Sequence, residues 1–333
     1  MIHTIAYSLH DLLPYVNWIY FFHAWGMAPR FAQIADVHDC PACRRSWVER
    51  MGADDRLQAT EAEKLQRDAV AMVRELDGKH TVYARFGLFP AWSEEDDIVV
   101  VTSEENNNNK SEKGKCARQT VRLPFLRQQK VKRQDAPFLC LADFIAPQGT
   151  YPDIETVFPE SSCGEIRPRG TALGVFATAV EERMEELYQS DDYRHLLVQT
   201  ICDRMAEAAA EKMHEEVRRY YWGYAPDEKY TAKELFSEQY EGRRPAVGYP
   251  SMPDQSFNFL IDRLIGMKEI GISLTSNGMM HPHAAVSGLM FDHPALRHFA
   301  VGTIDEQQML DYSQRRGWEE GEALKYLAAN LNT

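Results

Sequence analysis

The longest helical signal in the chain lies at about residues 191–221, where Val198, Ile201, Cys202, Met205, Ala208, Ala209 and Met213 recur on one stripe. A stripe of that length has to face a core. Asp203, Glu207, Glu211 and His214 fall on the opposite side, and periodicity alone makes that a solvated acidic face. A second amphipathic helix is predicted within residues 59–76, with Leu65, Ala69, Met72, Val73 and Leu76 at helical spacing. Residues 81–89 and 98–102 read as strands around a turn at residues 87–90 (Gly-Leu-Phe-Pro). Residues 138–146, a nearly continuous apolar run closed by Pro147, read as a buried strand partnered by residues 174–178.

Residues 238–255 (EQYEGRRPAVGYPSMPDQ) are too rich in proline and glycine for helix or central strand, so they form a shaped loop. Pro245 restricts φ, Gly248 permits a positive φ or a close backbone approach, and Arg244 presents a planar fork of donors matched to a carboxylate or phosphate. That is the chemistry of a small anionic or zwitterionic ligand; the plainer reading is a structural turn with a surface arginine.

The order of residues around Arg244 (Arg-Pro-Ala-Val-Gly-Tyr-Pro, with Glu238 six residues before and Pro253-Asp254 after) resembles the S-adenosylmethionine-binding loop of the activation domain of cobalamin-dependent methionine synthase. Further blocks agree in the same order: Trp18, Phe21, Phe22 and Trp25; Gly87 to Pro90; Leu126 to Gln129; Cys140 to Pro147; Asp191 to Tyr193; Asp203, Arg204, Ala206 and Glu207; Tyr221 to Pro226; and Val286 to Gly288. The resemblance covers roughly the whole chain. It implies an α+β fold, a single curved domain over residues 1–333 with a twisted antiparallel sheet flanked by helices.

The resemblance also implies a site for S-adenosylmethionine built from Asn17, Glu207, Glu238, Arg244, Ala246, Gly248, Tyr249, Met290 and Phe291. Arg244 would grip the carboxylate and Glu207 and Glu238 would face the positive groups. The backbone of residues 246–249, with Tyr249 and Phe291 as walls, would receive the base. At two of these positions the family pattern differs. Asn17 stands where the family has an aspartate, and Met290 where it has a tyrosine, so an acidic charge and a hydroxyl are replaced. No residue is assigned as nucleophile or base: by resemblance the methyl acceptor is cob(I)alamin. The sequence lacks an Asp-x-His-x-x-Gly stretch, because Asp36-Val37-His38 is followed by Asp39-Cys40-Pro41. Cobalamin is therefore expected only through a cobalamin-bearing partner chain, met in trans, with a flavodoxin-like electron donor as a further partner. The chain is not a complete enzyme on this reading. The alternatives are a non-catalytic scaffold or regulatory cap that binds a corrinoid protein without S-adenosylmethionine, and an independent small-molecule methyltransferase.

A net charge of −13 disfavours nucleic acid and anionic membrane as partners, and neither a spanning segment nor a signal peptide is evident, which reads as cytoplasmic. The locally basic run at residues 118–133 reads as a solvated face or as a dock for an acidic partner. Residues 103–116, with four consecutive asparagines, read as a mobile surface loop. Six dispersed cysteines do not make a disulfide framework. Cys40 and Cys43 form a C-x-x-C pair, half of a tetrahedral zinc site without a second pair to complete it, and read as unpaired or redox-labile thiols with no metal. His281 and His283 read as loop histidines around Pro282.

Overall fold

A computed structural model describes residues 1–103, 118–131, 136–151, 169–319 and 321–331. Eight strands are seen there: β1 (Ile2–Tyr7), β2 (Val82–Glu94), β3 (Asp97–Ser103), β4 (Arg118–Pro124), β5 (Ala172–Val180), β6 (Ser273–Leu274), β7 (Met280–His281) and β8 (Ala285–Met290). The helices are α1 (Leu9–Leu12), α2 (Trp18–Ala24), α3 (Pro41–Glu49), α4 (Arg56–Leu76), α5 (Glu182–Glu185), α6 (Asp192–Glu216), α7 (Ala232–Phe236), α8 (Phe257–Ile265), α9 (Glu306–Arg316) and α10 (Glu322–Leu327). The main sheet runs β4-β3-β2-β5-β8, with β1 on the β3 side of β2, and every pairing is antiparallel. This is the expected α+β arrangement of an antiparallel sheet flanked by helices. Among the described residues no helix is long and apolar enough to cross a membrane.

Both faces of the sheet are covered, and β5 shows it most directly, since all nine of its residues are buried. Ala172, Phe176 and Val180 join a core with α4, α6 and the N-terminal helices, while Leu173, Val175, Ala177 and Ala179 pack with α8 on the other face. Period-two alternation thus feeds two separate cores from one strand. The stripe predicted on α6 is buried in full, but Thr200, Ala206, Ala210 and His214 are buried too, so the helix is enclosed on more than one side. Asp191 caps it by accepting from Arg194 N–H at 3.0 Å, and Gly223 turns the chain away after a π-helical turn with φ of +73°. The Thr178 hydroxyl donates to Ala206 O at 2.9 Å, tying α6 to β5.

Two expected elements take another form. The turn at residues 87–90 is absent, and β2 runs straight through it. Ala91 N–H points to the β5 side, where it donates to Thr171 O at 3.0 Å, so the N–H that Pro90 lacks belongs to the opposite edge. There the pairing with β1 has ended at Gly87 and the pairing with β3 begins only at Ala91, so no ladder bond is missed. Within residues 138–146, Cys140, Leu141, Ala142, Phe144 and Ile145 are buried as expected while Phe138 is exposed, and the run forms a 3-10 turn at Leu141–Phe144 rather than a strand. Asp143 draws the chain round by accepting from Cys140 N–H at 2.8 Å. The partners of β5 are consequently β2 and β8. The loop expected at residues 103–116 lies, from 104 on, outside the described residues.

Candidate functional site

Residues 243–247 lie along the outer edge of β8 as a short added strand. Arg243 and Phe291 exchange N–H···O bonds of 3.0 and 2.9 Å, Leu289 N–H donates to Pro245 O at 3.0 Å, and Val247 N–H donates to Ser287 O at 3.0 Å. The sequence permits this approach at one residue: a Cβ on Gly288 would sit 2.3 Å from Pro245 O and 2.9 Å from Ala246 Cα. Gly248 then turns the chain with φ of +85°, the first of the two uses open to it from the sequence.

Alternation along that edge sends neighbouring arginines to opposite faces. Arg243 donates to the backbone carbonyls of Tyr240, at 2.8 Å, and Gly242. Arg244 reaches the polar side of α6, where its Nη2 meets Glu211 Oε2 at 3.2 Å, and its side chain is only 17% exposed. Its Nη1 is buried without a hydrogen-bond partner, as is Glu211 Oε1. A cleft of about 520 Å3 opens here, lined by Asn17, Tyr20, Glu207, Glu211, Glu238, Arg244, Ala246 and Tyr249 among others. A wider cavity of about 970 Å3 shares Asn17, Tyr20 and Phe236 with it.

The charges around the cleft are unequal. Burial raises the Glu207 carboxyl above its ordinary value against the pull of Arg204, whose Nη1 lies 2.8 Å from it. Burial also pushes Glu238 upward, but the hydrogen bond from His298 at 2.7 Å and the charges of His298, Arg243 and Arg244 outweigh it, and Glu238 ends lower. Burial opposes the charge on Arg244, and Glu211 more than restores it. His214, beneath them, is fully buried with both ring nitrogens unpartnered; burial first, and then the nearby arginines, hold it neutral.

Six of the nine predicted site residues therefore line one cleft: Asn17, Glu207, Glu238, Arg244, Ala246 and Tyr249. Gly248 shapes the loop beside them. Met290 and Phe291 do not act as walls: both are fully buried, Met290 in the α6-side core opposite Gly174 and Phe291 in the core on the other face. They continue β8 and its edge pairing, whose register turns them inward. On the acidic side of α6, Glu207 and Glu211 form a cleft wall rather than a solvated face, while Asp203 is exposed. Glu211 was legible only as a surface acid; its i,i+4 spacing from Glu207 is the signal that places both on one wall. Asn17 serves as N-cap of α2, accepting from Ile19 N–H at 3.1 Å.

Elsewhere, Arg122 bridges Glu94 and Asp97, and Arg127 makes a fork to Asp143 (2.7 and 2.8 Å) while also holding Asp96 at 2.6 Å. The basic run is thus held internally at these two positions, and Lys132 and Arg133 lie outside the described residues. His281 pairs with Glu182 at 2.9 Å.

A family model for the vitamin B12 dependent methionine synthase activation domain matches residues 8–317. A solved structure, the crystal structure of the MetH reactivation domain bound to AdoHcy, is similar over 100% of this chain and 91% of its own, with 31% sequence identity and a TM-score of 0.78.

Proposed function

The chain belongs to the vitamin B12-dependent methionine synthase activation domain family, and from that membership we propose that its cleft binds S-adenosylmethionine and presents it, in trans, to a cobalamin-bearing partner chain. The observation that carries the reading is the unpartnered, buried Nη1 of Arg244 beside the unpartnered Oε1 of Glu211. A buried donor left unpaired costs about 1–3 kcal/mol, which a ligand carboxylate would recover once the Arg244 side chain turns toward the cleft it lines. The ligand's carboxylate fits that fork, and its ammonium and sulfonium fit Glu207 and Glu238. A cleft of about 520 Å3 is in the range that takes a molecule of this size. The similar MetH reactivation domain holds AdoHcy, the same scaffold without the methyl group.

When bound, S-adenosylmethionine supplies a methyl group on a cationic sulfur for transfer to a reduced corrin cobalt. The chain's own residues orient it: Arg244 holds one end, Glu207 and Glu238 balance its charge, and residues 246–249 with Tyr249 border the rest. Positioning of this kind lowers a barrier by several kcal/mol without a protein nucleophile or base. Asn17, tied to the backbone as a helix cap, offers no acidic charge and takes a lesser part. Because Met290 is buried away from the cleft, its difference from the family pattern does not change the cleft lining. A flavodoxin-like donor remains the proposed source of the electron.

Calorimetric titration with S-adenosylmethionine tests the reading: saturable one-to-one binding that is lost in Arg244→Ala supports it. Absence of heat at millimolar ligand, together with retained association with a cobalamin-loaded synthase lacking its own activation domain, would leave a regulatory cap instead. No association at tens of micromolar would remove the role in trans.

A further inference from the structure

One group of metal-ligating side chains stands apart from the cleft. Cys40 is the N-cap of α3, with extended backbone (φ −98°, ψ 144°), and its Sγ accepts from Cys43 N–H at 3.2 Å. Pro41 begins the helix, where its missing N–H costs nothing, and Cys43 completes the first turn. The capping geometry sets the two sulfurs side by side at the first turn of a nine-residue helix. The sequence offers only this pair, but the backbone preceding the helix brings in a third group. The ligand atoms of His38, Cys40 and Cys43 all lie within 4.8 Å of one another, and all three side chains are at least partly solvent-accessible.

We propose that His38, Cys40 and Cys43 hold one zinc ion, with a fourth position open to water or an exogenous ligand. Tetrahedral zinc with Zn–S bonds of about 2.3 Å needs its sulfurs about 3.8 Å apart, so three groups already within 4.8 Å close on the ion by rotamer adjustment alone. Two sulfurs and an imidazole select a borderline-soft ion over magnesium or calcium. Asp39 is not the fourth ligand, because its carboxylate is held by Arg44 at 3.6 Å and Arg74 at 3.3 Å. Binding releases the two thiol protons to solvent and changes no oxidation state. The bound ion ties residue 38 to the first turn of α3, beside the wider cavity that Val37 and Asp39 help to line.

This inference is independent of the S-adenosylmethionine reading, and its test needs no activity. The reduced full chain is titrated with Co2+ under anaerobic conditions and followed by absorption. The expected result is one equivalent per chain with thiolate-to-cobalt charge-transfer and tetrahedral d–d bands, displaced by one equivalent of Zn2+. Cys40→Ser and Cys43→Ser, each retaining the other five cysteines, lose the charge-transfer intensity, and exposed His38→Ala weakens binding at least tenfold while leaving the circular dichroism unchanged. Uptake by the reduced wild type no greater than by the Cys40→Ser/Cys43→Ser double variant would overturn the proposal. So would a reversible Cys40–Cys43 disulfide in a chain whose reduced form takes up no cobalt.

Discussion

Two arginine-bearing regions of this molecule differ in what they leave open. At the β3–β4 edge, Arg127 uses its whole fork on Asp96, Asp143 and the Phe138 carbonyl, and Arg122 is held by Glu94 and Asp97. In the 243–247 edge strand, Arg244 has one contact to Glu211 and a buried nitrogen with none. The first region closes structure around itself, whereas the second is left short of an acceptor. Density of positive charge therefore says little about where an anion binds; the count of satisfied donors says more.

The comparison breaks most sharply if Arg244→Ala leaves ligand binding intact. Removing a charge-assisted fork should cost about 3 kcal/mol, roughly a 100-fold loss in S-adenosylmethionine affinity by calorimetry, while Arg127→Ala stays within about twofold of wild type. Gly288→Ala should come next. Its Cβ would meet two backbone atoms of the added strand, so a loss of about 1–3 kcal/mol in denaturant unfolding is expected, together with weaker ligand binding as Arg244 shifts. Arg127→Ala should lower stability by about 1–2 kcal/mol, a discounted figure because Asp96 and Asp143 remain about a third exposed.

The smallest effect concerns pH. The folded state holds Glu238 below its ordinary value of 4.5, so its contribution to stability is complete above that value and is lost as the pH falls through the folded-state pKa. Glu238→Gln should be less stable than wild type by about 0.5 kcal/mol near neutrality, since the side chain is 36% exposed, and the gap should close in acid. A gap that widens in acid would contradict this assignment.

Much of the fold could be read in advance because period and turn chemistry are local. The α4 and α6 helices, the β5 strand and the left-handed Gly223 and Gly248 each follow from residues within a few positions of one another. The expected strand at residues 138–146 failed for a reason of the same range: apolar runs report burial, but Asp143 decided the backbone by capping its own turn. The site was legible in its members near Arg244 and less so at its walls. Met290 and Phe291 continue β8, and which way a strand residue points depends on register with partners far along the chain.

Sequence alone determined that a rigid Pro- and Gly-framed loop would carry Arg244, and that α6 would present Glu207 and Glu211 from its polar side. Only the tertiary structure decided that Arg244 meets Glu211 with a nitrogen to spare and that Arg122 and Arg127 are closed off. The physical reason is that backbone preference acts between neighbours, whereas the partner of a charge or a ligand atom is chosen by whichever group the folded chain brings within about 3–5 Å, often from more than thirty residues away.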